Sequence, residues 1–290
     1  MENGFYGFPT PGRDYNSPFQ LVSTLPTPTP ALRGQLFLLQ AQIAAATGYQ
    51  DAVYATAGLT NYWKLDEVAG TTLTDSKGTR NGTYSGIYTL GQMGATPDVG
   101  NRAVLFGGGN GSVTNGSADW VGGAMSLEFW YYSTSSSNTS VCGLRNNTTA
   151  DFYCDILNST QLECRFRNSS GTAFTLNPSP GAFSTWHHGV MVYDGSTTLS
   201  AYIDGALAAQ TTSAGGTISS TTSAMTFAKD VQAPNFAGRL DEVAAYNVAL
   251  SPTTILSHYT IGTAASTPDR FYSVIQKVDG TYQWVQIPTV

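Results

Sequence analysis

Few residues of this 290-residue sequence could do chemistry, and the most conspicuous group of them is Trp186, His187 and His188. A catalytic histidine needs one group that orients it and a nucleophile or acid within reach. Two histidines that are neighbours in a strand point to opposite faces, which prevents them from chelating one metal ion. We therefore interpret the group as structural and predict no catalytic residue.

The acidic residues offer a second route to catalysis. They include the pairs Asp66-Glu67 and Asp241-Glu242, and a single Glu128 in the segment SLEFWYY. A glycosidase needs two carboxylates that face each other across a cleft, roughly 5 to 10 Å apart. Glu128 stands alone in its segment. The sequence thus favours a protein that is not an enzyme.

The aromatic residues are candidates for binding carbohydrate. A sugar ring commonly stacks on an exposed aromatic side chain that has polar neighbours. We predict Trp120, Tyr131, Tyr132 and Tyr153 as glycan-binding residues. Trp120 lies in the glycine-rich segment GSADWVGG, where it is either exposed or a core residue beneath a loop, and the sequence leaves both alternatives open.

The composition indicates a folded protein with many turns. Charged residues make up 11% of the chain, against about 25% in an average soluble protein, and there are 31 glycines and 13 prolines. A helical bundle would need more charged and helix-forming residues. Aromatic residues reach 12%, which excludes disorder over the whole chain.

The charge and the cysteine count limit the partners and the sites to be expected. A formal net charge of -6 disfavours nucleic acid and an anionic membrane surface as partners. Three cysteines, Cys142, Cys154 and Cys164, give neither a paired disulfide framework nor a four-ligand zinc site. We expect them to be free thiols or core residues. The first residues carry no basic start and no apolar run, so we expect no secretion signal.

The chain divides into four segments. Residues 1–30 form an extended arm rich in proline and aromatic residues, and residues 31–57 contain the apolar run RGQLFLLQ, which fits either a helix or a strand. Residues 58–262 carry many short strand-like runs. Residues 263–290 contain two strand-like runs around Asp279-Gly280, typical of a β-hairpin that needs a further partner, such as RGQLFLLQ or another subunit.

The central segment has the pattern of an antiparallel sheet protein. From Met125 to Tyr132 apolar and other residues alternate with a period of two. Asp-Gly pairs at 194–195 and 204–205 separate apolar runs and predict hairpins. Evenly spaced short strands predict an all-β antiparallel sandwich or barrel. One helix is expected near the end, with Ser251 as N-cap and Pro252 in its first turn.

The central segment also carries an ordered set of motifs. They are NYWKLDE at 61–67, DSKGTRNG at 75–82, AVLFGG at 103–108, MSLEFW at 125–130, WHH at 186–188, AYIDG at 201–205 and FAGRLDEVAAYN at 236–247. This set, over about 200 residues, resembles the laminin-G-like, concanavalin-A-like jelly-roll family. The resemblance implies a two-sheet jelly roll that binds carbohydrate or protein. It also implies that Trp186 lies in the core and that one of the two histidines lies at the sheet surface.

The same resemblance raises the question of a bound calcium ion. Relatives often hold one with loop carboxylates and backbone carbonyls, which are the oxygen ligands that calcium prefers. Asp75 and Asp241 are the candidate ligands. The alternative for Asp75 is a side-chain turn next to Gly78, without any metal.

The flanks resemble a different kind of protein. PALRGQLFLLQ at 30–40 and DRFYSVIQKVDGTYQWVQI at 269–287 look like two halves of a short module of bacteriophage virion proteins, especially tail-associated ones. This resemblance covers about 30 residues. It implies an anchoring module into which the jelly roll is inserted, and a protein made in the host cytoplasm.

Our hypothesis from the sequence is a non-enzymatic bacteriophage virion structural protein, a minor tail or tail-tip component. Its jelly roll would bind host-surface glycan, while the arm and terminal hairpin would bind other virion proteins, within a homotrimer. The alternatives are a capsid decoration or head fibre protein, a glycan-active enzyme, and a free adhesin. No cofactor other than the calcium ion is expected.

Overall fold

The computed structural model describes most of the chain. The described residues are 19–22, 27, 36–39, 48–114, 123–134, 139–145, 151–158, 160–180, 184–218, 224–229, 236–264, 270–276 and 281–287. The chain forms two compact units. The terminal unit consists of Met1–Ala46 with Ser266–Val290, and the sandwich unit consists of Thr47–Ala265.

The described residues form twenty strands and two helices. In chain order they are β1 (Phe19–Val22), β2 (Leu36–Leu39), α1 (Tyr49–Ala55), β3 (Leu59–Trp63), β4 (Thr72–Leu73), β5 (Gly82–Ser85), β6 (Tyr88–Met93), β7 (Arg102–Gly107), β8 (Asn110–Val113), β9 (Met125–Ser133), β10 (Thr139–Arg145), β11 (Asp151–Asn158), β12 (Gln161–Arg167), β13 (Ala173–Leu176), β14 (Trp186–Tyr193), β15 (Leu199–Ile203), β16 (Ala206–Thr211), β17 (Ala224–Phe227), β18 (Ala237–Tyr246), α2 (Pro252–Gly262), β19 (Arg270–Gln276) and β20 (Tyr282–Ile287).

The terminal unit is a sheet with the strand order β1-β2-β19-β20. Strand β2 lies in the run RGQLFLLQ, so the described part of this run is a strand and not a helix. It pairs with β1 in parallel and with β19 in antiparallel orientation. Strands β19 and β20 pair as an antiparallel hairpin. The hairpin thus pairs with β2 of the same chain, which lies near the opposite end of the sequence. Strand β1 lies inside the segment that we expected to be an extended arm.

The sandwich unit contains two antiparallel sheets. The first sheet has the order β16-β15-β14-β9-β18-β7-β6, with β3 paired to β18. The second sheet has the order β13-β12-β11-β10-β17-β8-β5-β4. This arrangement confirms the predicted all-β fold of two packed antiparallel sheets.

The main core lies between the two sheets and follows the predicted alternation. Met125, Leu127, Phe129 and Tyr131 of β9 all point into it and are fully buried. The intervening residues of β9 point to the outer face of the first sheet. Side chains of both sheets meet in the core, as in the edge-to-face pair of Trp63 and Phe227, whose ring centroids are 5.3 Å apart.

Both Asp-Gly pairs form the predicted turns. Tyr193 pairs with Leu199 and Ile203 pairs with Ala206, so each Asp-Gly pair joins two strands. In the second turn, Asp204 and Gly205 have φ angles of 52° and 78°. Positive φ at both central residues is the geometry that favours Asp-Gly in a two-residue hairpin.

Two helices cover the outer face of the first sheet. Tyr49 and Val53 of α1 and Ile255 of α2 are fully buried against it, in an outer core cluster. Helix α1 belongs to the sandwich unit, although we had assigned its residues to the anchoring module and placed the start of the jelly roll at residue 58. Within the described part of the chain, no helix has the length and apolar character needed to cross a membrane.

Helix α2 begins as the sequence predicts. Pro252 occupies its first turn, and the Ser251 hydroxyl accepts a hydrogen bond of 3.1 Å from the Thr254 backbone N–H. Such a cap satisfies a donor that the helix itself cannot pair.

Removing this cap gives a test of the helix. Ser251→Ala should lower the free energy of unfolding by about 1 kcal/mol, because the Thr254 N–H loses its acceptor. Chemical denaturation of the two proteins measures the difference. Thr253→Ala, at an exposed position of the same turn, is the control and should change stability much less. Equal losses in both variants would contradict the capping role.

Candidate functional site

A fully buried carboxylate, that of Glu128, lies between the first sheet and its two helices. It accepts hydrogen bonds from the hydroxyls of Tyr49 (3.0 Å) and Tyr246 (2.7 Å). His188 Nε2 lies 2.7 Å and His258 Nδ1 3.0 Å from the same carboxylate. The four partners come from α1, β18, β14 and α2, so one side chain of β9 connects the sheet to both helices.

The charge of Glu128 is stabilised by its partners. Burial alone would raise the pKa of this carboxyl, but the neighbouring His258 and His188 outweigh burial and hold the pKa well below its usual range. Burial lowers the pKa of His258, and the Glu128 carboxylate more than reverses this, so the net pKa is raised. The group is thus a buried ion pair with hydrogen bonds on both sides.

The two adjacent histidines point to opposite faces, as predicted. His187 Nδ1 is 2.8 Å from Asp204 Oδ2, whereas His188 contacts Glu128. The expectation of a core tryptophan and a surface histidine was wrong. Trp186 is partly exposed on the outer face. His188 is buried on that face because α2 covers its middle, whereas His187 is buried on the opposite face, beside Tyr131.

A second acidic group, the carboxylate cluster, consists of Asp66, Asp241 and Glu242. Each contributes one oxygen, and these oxygens lie within 4.8 Å of one another. Gln50 Nε2 donates to Glu242 (2.7 Å) and Asp66 (3.2 Å), and Asn101 Nδ2 donates to Glu242 (2.7 Å). The cluster therefore joins the chain after β3 to the middle of β18.

Local backbone geometry brings these carboxylates together. Adjacent residues of a regular strand point to opposite faces. Glu242 has a left-handed φ of 52°, and the pairing of β18 with β9 shifts register between Asp241 and Ala244. Leu65, just before Asp66, also has a positive φ of 60°. Such strained positions in non-glycine residues persist where the surrounding structure enforces them.

Burial in the carboxylate cluster disfavours the ionised forms of Asp241 and Glu242. Burial raises the pKa of Glu242 to about 8, although hydrogen bonds from Tyr62 and Gln50 lower it in part. Burial and the nearby Glu242 raise the pKa of Asp241 well above its usual value. Asp241 is fully buried, and its Oδ1 has no hydrogen-bond partner among the described residues.

These properties fit the calcium ion that the jelly-roll resemblance implies. Calcium binds carboxylate oxygens and stabilises their ionised form. Asp241, one of our two candidate ligands, is in the cluster, and Asp66 and Glu242 would be its companions. We had noted these two only as members of carboxylate pairs, and the left-handed turn that unites them leaves no clear signal in the sequence.

Asp75, the other candidate ligand, is hydrogen-bonded to the protein through both of its carboxylate oxygens. Its Oδ1 accepts hydrogen bonds from the backbone N–H groups of Tyr62, Lys77 and Gly78, and its Oδ2 accepts from Asn61 Nδ2 and the Arg80 N–H. Burial would raise the pKa of Asp75, but these bonds lower it overall. The bond from the Gly78 N–H is that of the side-chain turn given as the alternative to a metal ligand, and the bonds together order the loop.

The predicted glycan-binding aromatics occupy different environments. Tyr131 is fully buried between the sheets, so its ring does not offer a stacking surface. Tyr153 is buried as well, and the Arg145 guanidinium lies 3.5 Å from its ring centroid, which covers the ring. Neither ring has the exposed face that stacking on a sugar requires. Trp120 lies outside the described residues.

Tyr132 is partly exposed and belongs to a row of side chains across the first sheet. It lies opposite Trp186 on one side and opposite Arg239 on the other. The Tyr132 and Trp186 ring centroids are 5.9 Å apart, and the Arg239 guanidinium is 4.8 Å from the Tyr132 ring centroid. We call Trp186, Tyr132 and Arg239 the aromatic row; its members are all partly exposed.

Trp186 and Arg239 were missed as candidates. Each occupies a strand position whose period-two alternation places it on the outer face, but only the pairing of β14 and β18 with β9 shows that they flank Tyr132. The sequence alone does not give this register.

Stability as a function of pH tests the cation site. In the presence of a chelator, the free energy of unfolding should fall as pH rises from about 4.5 to about 8. Glu242 has a pKa of 4.5 when exposed and about 8 when folded, so its stabilising protonated form is lost through this window. Calcium should restore stability at pH 8, by about 2.7 kcal/mol at a concentration of 100 times its Kd.

Variants distinguish calcium binding at the carboxylate cluster from effects of calcium elsewhere on the protein. Asp241→Asn should abolish the calcium-dependent rise in Tm, because a ligand is lost. Asp51→Asn, at an exposed position of α1, should retain it. An unchanged Tm of the wild-type protein on adding calcium at pH 8 would contradict the cation site.

Comparison with known proteins identifies the fold family. The model of the concanavalin A-like lectin/glucanases superfamily matches residues 106–256. No curated protein matches the sequence. Among solved structures, domain 4 of AbnA, an extracellular arabinanase from Geobacillus stearothermophilus in complex with arabinotriose, has a TM-score of 0.52 and 16% identity. That match covers 69% of this chain and 98% of the other.

Binding domains of botulinum neurotoxins are also similar. The binding domain of neurotoxin DC in complex with SialylT has a TM-score of 0.55 and 14% identity, and the match covers 76% of this chain and 57% of the toxin domain. A structure of botulinum neurotoxin type C, whose cell entry is described as dependent on interaction with two ganglioside molecules, gives a TM-score of 0.55 and 14% identity, over 76% of this chain and 55% of the other. This chain thus spans just over half of these toxin chains.

Because the family match covers just over half of the 290 residues and agrees with the two-sheet sandwich, this chain belongs to the concanavalin A-like lectin/glucanases superfamily.

Proposed function

We propose that this protein is a non-enzymatic structural component of a bacteriophage virion whose sandwich unit binds carbohydrate on the host surface. In this proposal it is a minor tail or tail-tip protein, made in the host cytoplasm, and its terminal unit binds other virion proteins. The observation that carries the binding function is the partly exposed aromatic row on the outer face of the first sheet.

The chemistry of the aromatic row suits a sugar. The C–H face of a pyranose or furanose ring is apolar and packs on an aromatic side chain, while its rim of hydroxyls needs hydrogen-bond partners. Trp186 supplies apolar surface, Tyr132 adds a hydroxyl, and Arg239 adds a planar group with several N–H donors. These three side chains lie side by side at the end of the outer face that helices α1 and α2, the helical cover, leave uncovered.

Two similar structures support carbohydrate as the ligand class. The arabinanase domain, nearly all of which is matched by this chain, is described in complex with arabinotriose. A toxin binding domain is described in complex with SialylT. The identities of 14 to 16% support the shared fold and do not transfer binding residues, so the site in this protein rests on its own side chains.

The placement of the acidic residues supports a binding protein over a glycosidase. Glu128 is enclosed by two helices and bonded to four side chains, and Asp241 and Glu242 are fully buried. A glycosidase needs two carboxylates on opposite sides of a sugar that sits between them. The described acidic residues are better suited to stabilising the fold.

The terminal unit supports an anchoring role. Its sheet combines strands from both ends of the chain, and so the sandwich unit is inserted between two halves of one small structure. Several copies anchored on one particle would raise the overall affinity of a weak contact by roughly 10² to 10⁴. A shallow surface such as the aromatic row would then suffice for adhesion.

Glycan binding by the full chain tests the role of the aromatic row. We expect binding to one or more bacterial cell-wall or capsular glycans, with arabinotriose as an additional probe. Trp186→Ala should weaken that binding by about tenfold or more, a loss of at least about 1.4 kcal/mol, because the sugar loses its stacking surface. Isothermal titration measures both affinities.

A matched control is available on α1. Tyr54 is also partly exposed and also makes an edge-to-face ring contact, with Tyr62 at 5.3 Å. Tyr54→Ala should leave glycan affinity unchanged, and thermal unfolding would show that both variants are folded. Equal affinities of wild type and Trp186→Ala would remove the aromatic row from the proposal.

Particle assembly tests the anchoring role separately. Deleting residues 1–46 and 266–290 should prevent incorporation into virions, because the terminal unit is lost. Immunogold electron microscopy of intact particles should locate the full chain at the tail. Labelling on the capsid would favour a decoration or head fibre protein, and normal incorporation of the deleted form would contradict anchoring through the terminal unit.

A further inference from the structure

Three cysteines lie side by side on neighbouring strands of the second sheet. Cys142 on β10 pairs with Cys154 on β11, and Cys154 in turn pairs with Cys164 on β12. All three are buried in the main core as free thiols. A buried cysteine commonly acts as a small apolar residue, so burial alone assigns no chemistry to them. Their spacing does distinguish one pair.

The sulfur atoms of Cys154 and Cys164 are 2.9 Å apart. Directly opposite residues on antiparallel strands have Cα atoms about 4.5 to 5.5 Å apart. A disulfide needs a Cα separation of about 4.4 to 6.8 Å, and the strand pairing places Cys154 and Cys164 in this range. The Cys154 side chain already points toward the Cys164 side chain.

We infer that Cys154 and Cys164 form a redox modification site, which a low-molecular-weight disulfide such as glutathione disulfide oxidises to an intramolecular disulfide between β11 and β12. One cysteine thiolate attacks glutathione disulfide, which gives a mixed disulfide and one glutathione thiolate. The second cysteine thiolate attacks the cysteine sulfur of that mixed disulfide, which releases the second glutathione. The two protons of the cysteine thiols end on the two glutathione thiols, so atoms and electrons balance.

The closed sandwich limits when this reaction can occur. Burial raises the pKa of the Cys154 thiol, and the thiolate is the reactive form. Oxidation therefore takes place during folding or when the sheet opens locally, at β12 next to the edge strand β13. Once formed, the bridge ties together two strands whose outer faces carry Tyr153, Glu163 and Arg165, and it fixes their register.

Refolding the full chain in a glutathione redox buffer tests the inference. The products are trapped with an alkylating agent, digested and analysed by mass spectrometry. We expect one alkylated cysteine per oxidised chain, Cys142, against three in the reduced protein, and a cross-linked peptide that joins Cys154 to Cys164. Three alkylated cysteines in the refolded protein, or a bridge between Cys142 and Cys154, would overturn the inference.

Single variants test the geometry. Cys142→Ser should still form the bridge. Cys154→Ser should form none, because the remaining cysteines lie two strand spacings apart, about 9 to 10 Å, which exceeds the reach of a disulfide. Circular dichroism establishes which variants fold. If a variant does not fold, the peptide map of the wild-type protein still decides between the two pairings.

Discussion

The buried carboxylate of Glu128 is the constraint on which the arrangement of the sandwich unit depends. A charge in the interior is strongly destabilising unless it is paired and hydrogen-bonded. Its partners come from two strands and from both helices, so the helices must lie where they do for the charge to be stabilised. Removing one partner would leave an uncompensated buried charge, at a cost of about 3 to 5 kcal/mol. The network therefore holds the helical cover on the first sheet.

The position of that cover determines which surfaces are available for function. It buries the middle of the outer face and leaves the aromatic row partly exposed at one end. Helix α1 also contributes Gln50, which bonds to both Asp66 and Glu242. The same helix thus closes the polar network around Glu128 and orders the carboxylate cluster. Helix α1 therefore links the Glu128 network to the candidate cation site.

The sequence predicted features that depend on local chemistry and missed those that depend on pairing. The alternation in β9, the Asp204-Gly205 turn and the Ser251 cap follow from residue type and spacing, and the structure confirms them. The environments of Tyr131 and Trp186 do not. Period-two alternation predicts that two sets of side chains point to opposite faces of a sheet. It does not predict which face the helices cover or where that cover ends. Likewise, only a left-handed residue and a register shift bring the carboxylates of Asp241 and Glu242 close together, and neither feature has a strong sequence signal.

Carbohydrate binding by the aromatic row is tested most directly by a crystal structure of the full chain with a bound oligosaccharide identified by titration. We expect a sugar ring packed against Trp186, with hydroxyls within hydrogen-bond distance of the Arg239 guanidinium and the Tyr132 hydroxyl. A sugar bound instead to the outer face of the second sheet, beside Glu163 and Arg165, would contradict the assignment of the aromatic row as the binding surface.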